Sequence, residues 1–316
     1  MKKIVTLTIS PCIDKNTCVD HIVPEEKLRC DRPTFEAGGG GINVSKAIKN
    51  LGGESIAVFP EGGAGGELLE NLLKEEGIKT HSLPLEPWTR ENLNVVNRES
   101  DRQFRFVMPG NPLSESDTQQ LLGLLELHKD TSILVVSGSI PDGTPEHIFD
   151  DIAEFSKKNN IKLIWDTSGD AVFKSLERGN VFLLKPNYGE LCDLLGVDKK
   201  TDQDVDDLAE SLLEKYDLQN VVVSLGAQGA LWITKDGIVE QIVPPPVKVV
   251  STVGAGDSQI GGIVLKLAEG ESMAAAVRYG VAVGTATITQ EGTKLATKED
   301  AERLYKKILK KHPLKK

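Results

Sequence analysis

Short apolar runs recur along the chain, each closed by Gly, Pro, Ser, Asp or Asn: "KIVTLTIS", "SIAVFP", "SILVVSGS", "KLIWDTS", "VFLLKPN" and "NVVVSLG". Unbroken runs of aliphatic and β-branched residues, without polar alternation, are the pattern of strands buried on both faces. Between them lie stretches with apolar residues three and four apart, such as "GGELLENLLKEEGI", "PEHIFDDIAEFSKKNNI" and "DVDDLAESLLEKYDL", which predict amphipathic helices. Strands and helices in alternation predict a mostly parallel sheet between helical layers, one α/β domain over residues 1–316. Ligands of such sheets collect beyond the carboxyl ends of the strands, where the Gly/Ser/Asp/Asn punctuation falls.

Two segments leave this rhythm. Residues 12–36 carry Asp14, Lys27 and Arg29 without helical period, and residues 89–108 read as a strand, a turn around Ser100-Asp101 and a second strand. On that second strand Phe104 and Phe106 share a face opposite Arg105. Together they predict a small, discontinuous β lid outside the main sheet.

The formal charge of −10 argues against a nucleic-acid binder held by bulk electrostatics, so an anionic substrate needs local cations. Cys12, Cys18, Cys30 and Cys192 show neither a CxxC pair nor zinc spacing, which suits reduced thiols in the cytoplasm. The N-terminus lacks the pattern of a signal peptide and no apolar run approaches membrane-spanning length; a soluble protein without membrane partners is expected. The P-loop, GxGxxG, GxSxG and HExxH motifs are absent. "TDQDVDD" superficially resembles a calcium loop, but Asp207 and Leu213 stand at its sixth and twelfth positions. A helix start, with Thr201 as N-cap and Asp204 completing a capping box, is expected instead.

The glycine loops carry more chemistry. "AGGGGINVSKAIKNLGG" sets Gly38–Gly41 before the helical pattern of Ile42, Ala47, Ile48 and Leu51, with Asn43 in the first turn. A flexible linker and a helix start with N–H groups free for an anion or hydroxyl are the two readings; direct passage into an amphipathic helix favours the second. "PEGGAGGELLE" reads as a hinge or tight turn at Gly62–Gly66. In "STVGAGDSQIGGIVLKLAEG" the small residues Gly254, Ala255 and Gly256 feed a helix whose first turn holds Asp257. An acid there also suits a helix start, but the small residues make room for a ligand beside it. Phosphoryl transfer to an alcohol uses both features: Asp257 takes the hydroxyl proton while the loop N–H groups steady the phosphate. "LLKPNYGELCDLLG" follows Lys185 with Asn187 and Glu190, either a plain helix cap or a pair reaching a hydrated Mg²⁺. Ser224, Gly226 and Gly229 in "VVVSLGAQGALW" form a turn suited to a nucleotide.

In this order the motifs resemble the PfkB (ribokinase-like) family of sugar kinases over the whole length, from "TLTISPCID" and "GGGGINVSKAIKNLGG" through "KPNYGEL" and "VSLGAQGAL" to "TVGAGDS". The resemblance implies a three-layer α/β sandwich with a β lid, an ATP- and Mg²⁺-dependent sugar-phosphate kinase, and a homodimer whose lids clasp each other. It implies Asp257 as catalytic base, with Gly254, Ala255 and Gly256 as anion hole. Asp14, Gly39, Gly40 and Asn43 match positions gripping sugar hydroxyls. Lys27, Arg90 and Ser139 match those near the sugar's phosphate or the lid, with Arg29 and Arg105 as helpers. Lys185, Asn187, Ser224, Gly226, Gly229, Thr252 and Gly284 fall on the nucleotide side, and Asn187 with Glu190 on Mg²⁺. Ser251, Val253, Thr287, Gln290, Gly292 and Lys294 correspond to a monovalent-cation (K⁺) site, although many members carry Asp where Ser251 stands, and Gln290-Glu291 and Lys294 also depart from that pattern. The segments "PEEKLRC", "WTRENL", "FRFVMPG" and "VPPPVKVVSTVGAGDS" resemble the branch that phosphorylates fructose 6-phosphate at its 1-hydroxyl. Tagatose 6-phosphate and fructose 1-phosphate are the alternative acceptors, and a sugar-phosphate sensor without turnover is the reading from another class.

Overall fold

The computed structural model describes residues 2–167, 176–200 and 203–314. Nine strands form the main sheet, in the order β13 (Val239–Ile242), β12 (Ala230–Thr234), β11 (Leu218–Ser224), β10 (Val181–Leu184), β9 (Lys162–Asp166), β8 (Ile133–Ser137), β1 (Ile4–Leu7), β4 (Ile56–Gly62) and β5 (Lys79–Leu85). All neighbours from β11 to β5 run parallel, and the hairpin strands β12 and β13 run antiparallel. The apolar runs are unbroken because successive residues serve two different cores. Val5, Leu134, Leu163 and Val221 face one, while Ile4, Ile133, Ile164 and Val222 face the other.

The first core is covered by α3 (Glu115–Glu126), α4 (His147–Lys158), α5 (Tyr188–Leu195) and α6 (Val205–Lys215). The second is covered by α1 (Gly40–Asn50), α7 (Ala255–Glu269), α8 (Met273–Thr287) and α9 (Lys298–Lys311). A smaller core joins α2 (Gly63–Glu75) to Ile13, Ala37 and Phe59. This is the expected three-layer α/β sandwich, a mostly parallel sheet between two helical layers.

A second sheet of four strands, β3 (Thr34–Gly38), β2 (Cys12–Val19), β6 (Arg90–Asn97) and β7 (Arg102–Phe106), stands apart. Its β2–β6 pair is parallel and its outer pairs are antiparallel. The pleat separates two chemistries. Asp14 pairs with Asn92, and Asn16 with Asn94, which in turn pairs with Arg105. The next row, Phe35, Lys15, Leu93 and Phe106, with Phe104 beyond it, projects to the opposite face. Phe35, Phe104 and Phe106 are 37%, 38% and 48% exposed there.

One local expectation is corrected and one open alternative is resolved. α6 begins at Val205 with Asp204, extended at φ −66° and ψ 145°, as its N-cap; the Asp204 side chain makes no capping bond. Asp206 and Asp207 in the first turn supply the negative charge that the helix start favours. Thr201, expected as the cap, lies outside the described residues. Of the two readings of Gly62–Gly66, the tight turn is the one present: β4 runs to Gly62, and α2 starts at Gly63 with φ +61° beside the Trp88 ring.

Gly41 sets how closely α1 lies on β1. A Cβ there would stand 2.7 Å from the Leu7 carbonyl and 2.6 Å from Thr8 Oγ1. Gly41→Ala is expected to cost about 1–3 kcal/mol by overpacking, read as a lowered urea midpoint at unchanged m-value. An unchanged midpoint would show that the α1–β1 contact yields freely.

Candidate active site

Polar residues gather just past adjacent strand ends: Thr8 after β1, Ser137 ending β8, Asp166 ending β9, Lys185 after β10 and Ser224 ending β11. Two glycine-led helix starts face them. α7 has Gly254 as N-cap, left-handed at φ +72°, and no side chain caps it. α1 has Gly39 as N-cap at φ +115°, with no side-chain cap from that residue. Thr8 Oγ1 accepts the Ile42 N–H at 2.9 Å, so β1 supplies part of what α1 lacks. By contrast α3, α5, α8 and α9 are capped by Ser114, Asn187, Ser272 and Thr297. First-turn N–H groups have no intrahelical acceptor, so the α7 start offers donors and a positive dipole end to an anion.

Asp257 occupies that first turn. Asn43 Nδ2 donates to Asp257 Oδ2 at 2.8 Å, joining the two glycine-led helices. The close packing around the carboxylate, then the neighbouring Asp166 charge, raise its pKa to about 6 against the opposing pull of Asn43 and Lys185. Lys185 is 6% exposed, and its ammonium meets Asp166 Oδ1 at 2.9 Å. Burial works against that ammonium, but Asp166, then Asp257 and Glu190, outweigh it and hold its pKa above the ordinary lysine value. The other Asp166 oxygen accepts from Ser137 Oγ at 3.1 Å. Lys185 Nζ also lies 3.4 Å from where a Cβ on Gly256 would stand, so its charge lies beside the small-residue loop.

On the small sheet Asp14 Oδ1 accepts from Asn92 Nδ2 at 2.9 Å, and a Cβ on Gly38 would meet its other oxygen at 2.4 Å. Gly38 and Gly39 then lead into α1 and Asn43. Gly40 lies against the Ser137-Gly138 backbone, where a Cβ would come within 2.5 Å of the Gly138 nitrogen. Arg90 donates to the carbonyls of Met108 (2.8 Å) and Ser10 (3.1 Å), while its buried Nε has no partner. Arg105 Nε reaches Asn94 Oδ1 at 3.3 Å. Lys27, Arg29 and Ser139 are exposed, and no hydrogen bond or ion pair ties them to the site among the described residues.

At the other end Asn187 and Glu190 form a capping box: Asn187 Oδ1 accepts the Glu190 N–H at 2.9 Å and Glu190 Oε2 accepts the Asn187 N–H at 2.8 Å. The helix-cap reading is therefore realised in this pair. Ser224 Oγ donates to Gln259 Oε1 at 3.1 Å, and Gly226 and Gly229 adopt φ +57° and +86° in the following turn. Thr252 is exposed at the mouth of the glycine loop. Gly284 sits where α8 crosses α7, with a Cβ position 3.1 Å from the Ala255 carbonyl, so its immediate role is close helix packing. The loops proposed for a monovalent cation are joined: Ser251 Oγ donates to the Gly292 carbonyl at 2.6 Å, and the Val253 N–H reaches Ser251 Oγ at 3.3 Å. Thr287 Oγ1 accepts from the Ala296 N–H at 3.2 Å, Gln290 contacts Asp300 at 3.4 Å, and the Lys294 N–H meets the Glu291 carbonyl at 3.2 Å.

Sequence reasoning did not single out Asp166, Ser137, Asn92, Asn94 or Gln259. Asp166 and Ser137 were visible as strand punctuation in "KLIWDTS" and "SILVVSGS". The asparagines lie at every second position of "RENLNVV", which is the period of one sheet face.

A model described as pfkB family carbohydrate kinase matches residues 1–300. Over 305 residues the chain is 43% identical to the ATP-dependent 6-phosphofructokinase isozyme 2 of Escherichia coli (strain K12), covering 96% of this chain and 98% of that protein. The crystal structure of phosphofructokinase-2 from Escherichia coli in complex with potassium matches with TM-score 0.92 at 43% identity, over 98% of this chain and 99% of that one. The complex of the same enzyme with fructose-6-phosphate matches with TM-score 0.89 at 41% identity and the same coverage.

The raised Asp257 carboxyl is open to direct measurement. Carbon-detected NMR of labelled aspartate is expected to give a midpoint of about 6 for Asp257. Asp166→Asn removes a neighbouring negative charge while leaving the Lys185 ammonium, so the midpoint should fall. A midpoint near the ordinary 3.8 in the unaltered protein would contradict the crowded-carboxylate picture.

Proposed function

The chain belongs to the pfkB family of carbohydrate kinases, and we propose that it works as an ATP-dependent 6-phosphofructokinase, converting fructose 6-phosphate to fructose 1,6-bisphosphate. The observation that carries the chemistry is the Asn43–Asp257 bond at the uncapped start of α7. Asn43 holds one carboxylate oxygen, which leaves Asp257 Oδ1 to accept the proton of the sugar's 1-hydroxyl. The hydroxyl oxygen then forms a bond to the γ-phosphorus as the bond to the β-phosphate oxygen breaks and ADP departs. Negative charge accumulates on the transferring group, and the N–H groups of Gly254, Ala255 and Gly256, the helix end of about half an elementary charge and Lys185 offset it.

Asp14, Gly39, Gly40 and Asn43 are assigned to the sugar hydroxyls. Lys27, Arg29, Arg90, Arg105 and Ser139 are assigned to the sugar's phosphate and the lid, where the orphaned Arg90 Nε leaves a donor for an anion. Ser224, Gly226, Gly229, Thr252 and Gly284 are assigned to the nucleotide. For Mg²⁺ the donor set is suitable in kind. Among the described residues no cluster of three or more acidic, His or Cys side chains forms a dedicated cage. Mg²⁺ keeps several waters and is held through one or two carboxylates plus substrate phosphates. The second Glu190 oxygen and the Asn187 amide would hold it, and when bound it neutralises phosphate charge. The carbonyl-rich 251–253 and 287–294 loops are likewise assigned to a K⁺ ion, with Ser251 as their hydroxyl.

The exposed Phe35, Phe104 and Phe106 face of the small sheet supports association of two copies through their lids. Cytoplasmic residence belongs to the same reading; among the described residues no helix is long and apolar enough to cross a membrane.

A coupled assay with fructose 6-phosphate, tagatose 6-phosphate and fructose 1-phosphate tests the acceptor, with fructose 6-phosphate expected to give the highest kcat/KM. Fast turnover of another sugar beside negligible turnover of this one would replace it. Asp257→Asn is expected to lower kcat by about 10²–10⁴ at preserved ATP binding, and the unaltered enzyme should lose activity as pH falls through about 6, where the base becomes protonated. Retained turnover in Asp257→Asn would remove the assigned base. Sedimentation is expected to give a dimer that Phe104→Glu converts to monomer; a monomeric unaltered chain would contradict the lid-to-lid contact.

A further inference from the structure

Asn92 is 6% exposed and every polar atom of its side chain is committed. Nδ2 donates to Asp14 Oδ1 at 2.9 Å and to Cys12 Sγ at 3.2 Å, while Oδ1 accepts the Met108 N–H at 3.1 Å. One amide thus bridges β2, from its place on β6, to the segment that leaves β7. The Met108 peptide is gripped at both ends, because its carbonyl accepts from Arg90 Nη1 at 2.8 Å. Arg90 and Asn92 are two apart on β6 and lie on the face that carries Asp14 and Arg105.

The neighbours leave Asp14 no second anchor of equal quality. Cys12 Sγ stands 3.8 Å from Asp14 Oδ1, and burial together with the Asp14 charge keeps its thiol protonated, with a pKa of about 12. A thiol is a weak donor at that distance. Gly38 packs on the other carboxylate oxygen without donating to it from a side chain. Among the described residues Asn92 makes the shorter of the two side-chain hydrogen bonds to that carboxylate and so dominates which way it points.

We propose that Asn92 is a positioning residue for the sugar-phosphate acceptor, orienting the Asp14 carboxylate and linking that orientation to the chain leaving the small sheet at Met108. The proposal rests on the assignment of Asp14 to the sugar hydroxyls. Because Asn92 acts through Asp14, its contribution should vanish when Asp14 can no longer use it.

The test is a double-mutant cycle read in steady-state kinetics of both substrates. Asn92→Leu removes donors and acceptor at similar volume; Asn92→Asp keeps an acceptor for the Met108 N–H but removes the donor to Asp14. Each is expected to lower kcat/KM for the sugar phosphate about 10–100-fold, the scale of a lost bond to a charged group, with the ATP KM within about twofold. In an Asp14→Ala background, where no side-chain oxygen is left to accept from Asn92, Asn92→Leu is expected to change the same constant by less than about threefold. Equal effects of Asn92→Leu in both backgrounds, no effect in the unaltered background, or a matching rise in ATP KM with loss of thermal stability in both variants would overturn the proposal. The cycle is run on whichever of the three sugar phosphates the unaltered enzyme turns over, so a wrong acceptor assignment shows separately from a failure of this inference.

Discussion

In the proposed reaction a carboxylate sits where a polyanion arrives, and the charges around Asp257 are balanced by close pairing rather than by excess positive surface. Burial first, and the neighbouring Asp166 charge second, raise the Asp257 pKa to about 6, and Lys185, paired with Asp166, pulls the other way. Three charged groups in a poorly hydrated space hold together only if each keeps a partner. Asp166 uses both oxygens, on Lys185 and Ser137, and Asp257 uses one on Asn43. What remains unspent is one Asp257 oxygen and an uncapped helix end, the two groups that the proposed reaction calls on.

The rest of the fold exists to put these groups at one level. Parallel strands buried on both faces end together, so Ser137, Asp166, Lys185 and Ser224 come from four neighbouring strands without any of them being close in sequence. The helices that face them start where glycine permits positive φ at Gly39 and Gly254. Side chains cap α3, α5, α8 and α9, whereas the glycine at the start of α7 has none to offer.

Much of this was legible in the chain. Strand and helix segments followed from period, and the glycine-led starts with Asn43 and Asp257 followed from composition beside an amphipathic run. The Lys185–Asp166 pair did not, because nothing local joins residues 166 and 185; only the β9–β10 register brings them together. The start of α6 was expected too early for a local reason: more than one polar residue ahead of the apolar period suits an N-cap, and Asp204 holds the position. The Asn187–Glu190 spacing supported a cap and a metal equally, since both uses need the same two side chains on one helix turn.

The small sheet is a single layer with different tasks on its two sides. On β6, Leu93 and Val95 point to the phenylalanine face, whereas Asn92 and Asn94 point to Asp14, Asn16 and Arg105. No intervening packing insulates one side from the other, so a displacement of this strand of a few tenths of an ångström registers on both. The exposed phenylalanine face and the Asp14 face are therefore bound to drift together in evolution: neither can be remodelled without retuning its reverse side.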